Sequence, residues 1–230
     1  MKTIGLIGGM SWESSAVYYK IVNQEIKKRL GGVHSCQCLM YSVDFGEIAA
    51  LQHSGEWDEL AGIMVDAAQR LERGGADFIV LCTNTMHKLS KQIENSVQIP
   101  LIHIADVVAE AIKERHLYKV GLLGTKFTME QEFMKDRLIE KHGIDTIIPN
   151  EEQRNFIHQI IYGELVKGIF KEESREVFLQ IVNDLMSRGA EGIILGCTEI
   201  GLLISKENTN HTLFDTTEIH ALKAVELALR

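Results

Sequence analysis

Short runs of β-branched and aliphatic residues alternate, almost from end to end, with longer stretches whose apolar positions recur every three or four residues. The runs predict strands at residues 3–7, 36–43, 78–82, 101–104, 120–123, 145–148, 192–195 and 212–214. Between them, Tyr18, Val22, Ile26 and Leu30 recur along 13–30, and Leu60, Met64, Ala67 and Leu71 along 58–73. Each stripe marks the buried face of a helix. Thr128 with Gln131, and Asn150 with Gln153, read as capping boxes opening two more helices. Strands alternating with helices argue for an α/β fold with parallel sheets covered on both faces.

An internal repeat refines that picture. Gly75-Ala-Asp-Phe-Ile-Val-Leu-Cys-Thr83-Asn-Thr-Met-His87 lies without gaps on Gly189-Ala-Glu-Gly-Ile-Ile-Leu-Gly-Cys197-Thr-Glu-Ile-Gly201, an offset of 114. Ile4-Gly-Leu-Ile-Gly-Gly9 lies on Val120-Gly-Leu-Leu-Gly-Thr125, an offset of 116. Two matches in order, at nearly one offset, predict two pseudo-symmetric lobes. Each is expected to be a roughly four-stranded parallel sheet flanked by helices, with an active site in the cleft between them. Residues 1–105 form the first lobe and 106–215 the second. The final helix, 216–230, is free to pack on either and is a candidate to pack back on the first. No Gly/Ser/Pro-rich linker separates the halves.

Composition narrows the classes. With 45% hydrophobic residues, 24% charged residues and two prolines in 230 residues, the chain can bury a large core. The formal charge of −8, and no basic run longer than Lys27-Lys28-Arg29, disfavour a nucleic-acid partner. No apolar stretch reaches the ~20 residues of a membrane span, and the opening residues read as a strand rather than a signal peptide. Four cysteines suit a reducing compartment, so a cytoplasmic protein is expected, and a homodimer on base rates.

Ligands of parallel α/β sheets bind beyond the carboxyl ends of the strands. There the chain places Gly8-Gly9-Met10-Ser11, Asp44, Thr83-Asn84-Thr85, Gly124-Thr125, Pro149-Asn150, Cys197-Thr198-Glu199 and Asp215. The Thr83 and Cys197 turns each combine small or hydroxyl residues with a predicted helix start, where backbone N–H groups favour an anion. Cys197 is the candidate for reactivity, since a helix N-terminus lowers a thiol's pKa; the alternative is an inert buried cysteine. Asn84, Thr85 and Thr198 are candidate donors to a substrate carboxylate, or else helix caps. Cys36 and Cys38 are expected as strand residues on opposite faces and, with no second pair, not as a zinc site; no metal site is predicted. His87 is a packing residue or a supporting partner. Gly5-x-x-Gly8-Gly9 is not the dinucleotide fingerprint, which disfavours a nucleotide-dependent enzyme.

Gly8-Gly9-Met10-Ser11, the Thr83-Asn84-Thr85 turn and Gly196-Cys197-Thr198-Glu199 resemble the cofactor-independent aspartate/glutamate racemases over essentially the whole chain. Leu81-Cys-Thr-Asn-Thr-Met-His-Lys88 and Gly196-Cys-Thr-Glu-Ile-Gly-Leu-Leu203 are most similar to the broad-specificity and L-aspartate/glutamate-specific branch. The resemblance implies a PLP-independent isomerase that needs no cofactor and takes an amino-acid substrate between two opposed catalytic groups. It also shows a departure. The family's first turn reads Cys-Asn-Thr, whereas this chain has Thr83, and its Cys82 falls one residue early, at a strand position facing the other way.

By resemblance, Cys197 abstracts the α-proton and Thr83 donates or relays one on the opposite face. One enantiomer, the L-form, is then expected to be the better substrate. Met10, Asn84, Thr85 and Thr198 are expected to fix the α-carboxylate. Glu199 holds the α-ammonium or completes the helix start, and Gln52 and Thr125 border the side-chain pocket. Rival readings are a single-cysteine decarboxylase or isomerase of the same superfamily and a non-catalytic amino-acid-binding module. The preferred amino acid is not written in these turns.

Overall fold

The computed structural model describes residues 1–230, and its chain divides into two compact units. The first comprises Met1–His103 with His220–Arg230, the second Ile104–Ile219. All eight predicted strands form, in two four-stranded parallel sheets.

In the first unit, β1 (Ile4–Gly8), β2 (Cys38–Ser42), β3 (Phe78–Leu81) and β4 (Leu101–Ile102) pair in the order β2-β1-β3-β4. Side chains alternate across the sheet, and the two faces bury separate cores. Ile7, Ile79 and Leu81 pack on one face, among the buried residues of α2 (Phe45–Ser54) and α3 (Trp57–Arg73). Ile4, Leu6, Phe78, Val80 and Cys82 pack on the other, against Tyr18, Val22 and Ile26 of α1 (Trp12–Leu30). The α1 stripe is fully buried up to Ile26, but Leu30, at the helix end, is 45% exposed, contrary to expectation. Each Leu- or Ile-sized side chain removed from water contributes roughly 1.5–3 kcal/mol.

The second unit repeats the order. Its sheet β6-β5-β7-β8 is built from β5 (Lys119–Gly124), β6 (Asp145–Ile147), β7 (Ile193–Gly196) and β8 (Leu213–Asp215). A single continuous core joins α5 (Ile104–Glu114) and the helices α8 (Glu151–Gly163) and α9 (Glu172–Ser187) to that sheet. The Asn150–Gln153 capping box forms with both reciprocal hydrogen bonds. The Thr128–Gln131 box does not. Thr125 is the N-cap of α6 (Lys126–Glu130), accepting from the Thr128 N–H at 3.3 Å, and Thr128 lies inside that helix. A hydroxyl immediately after β5 reaches the unpaired N–H groups first.

The last helix, α11 (Thr216–Ala228), serves both units. The Thr216 hydroxyl donates to the Leu195 carbonyl at 2.8 Å in the second. Ala221, Ala224, Val225 and Ala228 enter the α1-side core of the first. No helix of the chain is long and apolar enough to cross a membrane.

Cys36 and Cys38 depart from expectation. Cys36 precedes β2, and residues two apart on an extended chain share a face rather than opposing one another. Both are half-buried, and the Cys36 thiol donates to the Gln37 carbonyl at 3.4 Å. The two sulfurs influence one another: the neighbouring Cys36 draws Cys38 down to about 7, and Cys38, with burial, pushes Cys36 up.

Candidate active site

Strand register fixes which residues of the two units correspond. Gly5, Leu6 and Ile7 pair with Ile79, Val80 and Leu81; Gly121, Leu122 and Leu123 pair with Ile193, Ile194 and Leu195. The residue after Leu81 is Cys82 and the residue after Leu195 is Gly196. Thr83 therefore corresponds to Cys197, and Cys82 to Gly196. Gly196 is required where it stands, because a Cβ there would meet the Leu123 carbonyl at 2.7 Å. Cys82 is fully buried in the α1-side core, its thiol directed to the Val80 carbonyl at 3.8 Å. Burial raises its pKa far above the ordinary thiol value.

Beyond β7, Cys197 is 8% exposed and donates its thiol hydrogen to Glu199 Oε2 at 2.9 Å. The Thr198 hydroxyl donates to the same oxygen at 2.6 Å. The thiol is not lowered as the helix-start argument expected. Burial, and then the adjacent Glu199 carboxylate, hold it well above its usual range. The N–H groups of Glu199 and Ile200 reach the sulfur and oppose the shift, but α10 (Ile200–Leu203) has only four residues and little dipole. Nor does the Glu199 side chain cap that helix. Its carboxylate is turned toward the thiol.

Sequence reading missed Tyr162. This α8 phenol is largely buried, and its pKa is pushed up by burial and then by the charges of Cys197 and Glu199. His158, one turn earlier, packs against it with its ring tilted, 4.8 Å between centroids, and accepts the Lys126 N–H at 3.3 Å. Both lie on one face of α8 (i, i+4), the only signal that could have joined them.

Beyond β3, Thr83 is 8% exposed and Asn84 and Thr85 are buried. Asn84 makes no side-chain cap bond, and a 3-10 turn, Thr85–Leu89, runs into α4 (Ser90–Glu94). Gln52, buried on α2, donates Nε2–H to Met86 Sδ at 3.1 Å, so it belongs beside this turn. His87 Nδ1 donates to the Thr83 carbonyl at 2.8 Å.

After β1, Gly9 adopts φ +94°, and a Cβ there would collide with the Val43 backbone. Its N–H donates to Ser15 Oγ at 2.7 Å, and Ser11 caps α1. Met10 is buried against the α3-side core. Thr125 is occupied as the α6 cap, as Asp44 and Asn150 are for α2 and α8. The first unit thus gathers Met10, Gln52, Thr83, Asn84 and Thr85. The second gathers Thr125, Cys197, Thr198 and Glu199. No group of three or more His, Cys, Asp or Glu side chains is arranged to hold a metal ion.

Residues 7–224 match the family model described as Asp/Glu/Hydantoin racemase. The broad-specificity amino-acid racemase RacX of Bacillus subtilis (strain 168) is 24% identical over 233 residues, covering 98% of each chain. Two crystal structures align over the whole of both chains. One is a Yersinia pestis protein assigned as an Asp/Glu racemase, with TM-score 0.93 and 49% identity. The other is an aspartate racemase homologue from Pyrococcus horikoshii OT3, with TM-score 0.86 and 36% identity. With the turns and their strand register in view, the chain belongs to the Asp/Glu/hydantoin racemase family, a family of isomerases.

Proposed function

We propose that this protein is a PLP-independent racemase of aspartate, glutamate or a wider set of amino acids, with Cys197 and Thr83 acting on opposite faces of the substrate α-carbon. The observation that carries the reading is the equivalence of Thr83 and Cys197 in strand register, with a carboxylate placed on the thiol. The Cys197 proton passes to Glu199, and the thiolate removes the α-proton of the L-enantiomer. A poised acid–base pair of this kind contributes on the order of 10²–10⁴-fold. Donors from the Met10, Asn84, Thr85 and Thr198 turns hold the α-carboxylate and stabilise the carbanion. Thr83 then delivers a proton, taken from water, to the far face. One proton leaves to solvent through Glu199 and one enters through Thr83, so the balance closes.

A threonine hydroxyl is a weak base, so the two steps are unequal. Enantiomers have equal free energy in water, and kcat/KM must therefore match in both directions. The imbalance shows as rapid α-proton exchange from the L-substrate and slow exchange from the D-substrate.

Proton NMR in D₂O tests this directly on L-Glu, L-Asp, a panel of neutral amino acids and their D-enantiomers. Loss of the α-proton signal is expected with wild type, abolished in Cys197→Ser and unchanged in Cys82→Ala. No exchange with any amino acid would sink the reading. With a single cysteine in the paired turns, turnover of a malonate in the same assay would then favour the decarboxylase chemistry.

A further inference from the structure

Building on the reading of Thr83 as the far-face donor, we propose that His87 is its positioning residue: the Nδ1–H bond to the Thr83 carbonyl sets where the hydroxyl stands, and His103 and His220 hold the His87 ring in place. The hydrogen bond is 2.8 Å and the His87 ring is 1% exposed. A carbonyl only accepts, so Nδ1 carries the proton. His103 meets the ring edge-on at 4.7 Å between centroids, and His220 does so at 5.8 Å. His220 is fixed at both nitrogens. Nε2–H donates to the Ile102 carbonyl at 2.8 Å, which leaves Nδ1 to accept from the Tyr18 hydroxyl at 2.9 Å. Burial keeps it neutral, with its pKa down at about 4. A buried network with defined donors and acceptors holds its rings in one orientation.

The second unit supplies the control. Its register places Gly201 opposite His87 and Asp215 opposite His103. There a Cβ at 201 would collide with the Asp215 carboxylate, which would have to give way. The Cys197 carbonyl is met by the backbone N–H of Ile200 at 3.1 Å. Both turns carry main-chain bonds, His87 N–H to the Asn84 carbonyl at 3.1 Å in the first unit, but the turn bearing the hydroxyl adds a histidine whose two clamping rings sit at the ends of that unit's segments, His103 and His220. Position 87 is where the two turns part in design. A hydroxyl that relays a proton depends on direction more than a polarisable thiolate does, and misplacement by ~1 Å can cost on the order of 10²-fold.

The test compares His87→Leu, His87→Asn and His87→Gln with wild type in D₂O. It reads α-proton loss from the L-substrate and formation of the D-enantiomer separately, with thermal melts to report folding. The Asn amide N–H stands where Nδ1 does, and that of Gln where Nε2 does. The expected result is that His87→Leu lowers D-product formation at least ~10-fold while L-exchange stays near wild type, with His87→Asn restoring the ratio and His87→Gln failing to. If His87→Leu does not fold, the contrast between the two amides decides. A proportional fall in both rates, an unchanged ratio, or equal behaviour of the two amides overturns the inference while leaving the racemase reading standing. A wild type that exchanges no α-proton overturns both.

Discussion

The turn after β3 and the turn after β7 share strand register and backbone role, yet their chemistry differs at nearly every position. Thr83, Asn84, Thr85 and His87 stand where the second unit has Cys197, Thr198, Glu199 and Gly201. The thiol has a carboxylate 2.9 Å away, supported by the Thr198 hydroxyl. The Thr83 turn carries no acid. It is tightly packed: Gln52 on Met86, His87 among two further histidines, and Lys88 over the Trp57 ring. On the proposed reading, one turn moves a proton onto a base and the other holds a donor still. Shared fold does not enforce shared chemistry, and pseudo-symmetry in the scaffold is compatible with asymmetry in the reaction.

Making the turns alike is the strongest way to break this comparison. Cys197→Thr, which leaves a hydroxyl on both sides, is expected to lower L-substrate exchange by at least about 10³-fold, because a threonine hydroxyl beside Glu199 is a far poorer base at the α-carbon than a thiolate. Steady-state kinetics and exchange should agree on that loss. Glu199→Gln comes next, with an expected fall of about 10²-fold near neutral pH. That variant also removes the negative charge that holds the thiol up. Its activity should recover as pH rises, and a flat pH–rate profile would contradict the assigned role. In the opposite direction, Thr83→Cys gives the first turn a thiol and is expected to raise racemisation about tenfold. By the equality of the enantiomers, kcat/KM must rise equally in both directions.

Smaller effects concern what surrounds the turns. His220 is buried and neutral, with its pKa lowered from 6.5 to about 4. Below pH 6.5 the unfolded chain takes up a proton that the folded chain refuses, so stability is full above that pH and declines as pH falls toward 4. Roughly 2 kcal/mol should be lost between pH 7 and pH 5, visible in thermal melts and reduced in His220→Gln. Finally, Cys38, half-buried and drawn down to about 7 by the neighbouring Cys36, should be alkylated by iodoacetamide before the other three cysteines. Mass spectrometry of a time course would rank them, with Cys82 last.

Much of the fold was legible because short apolar runs and period-four stripes report burial directly. Residues 78–82 are apolar throughout, and it is the strand pleat that turns Cys82 away from its neighbours Leu81 and Thr83; the sheet faces follow it. The ungapped repeat paired Thr83 with Cys197, and strand register pairs the same residues. What failed depended on tertiary surroundings. A helix start suggested a lowered thiol, but burial and Glu199 outweigh a four-residue helix. Thr128 matched a capping pattern, yet Thr125 stood closer to the helix start. The approach of Tyr162 to Cys197 and the His87–His103–His220 cluster join residues far apart in the chain, and only the i, i+4 pairing of His158 with Tyr162 is local.

The central claim is that one reaction is shared between unequal partners, and Thr83→Ala in D₂O tests it most directly. The variant keeps Cys197 and Glu199 but has no group to deliver a proton to the far face. The account predicts that the L-substrate still exchanges its α-proton with retention of configuration, while formation of the D-enantiomer is lost. Exchange and racemisation falling together, or racemisation persisting at the wild-type rate, would contradict it.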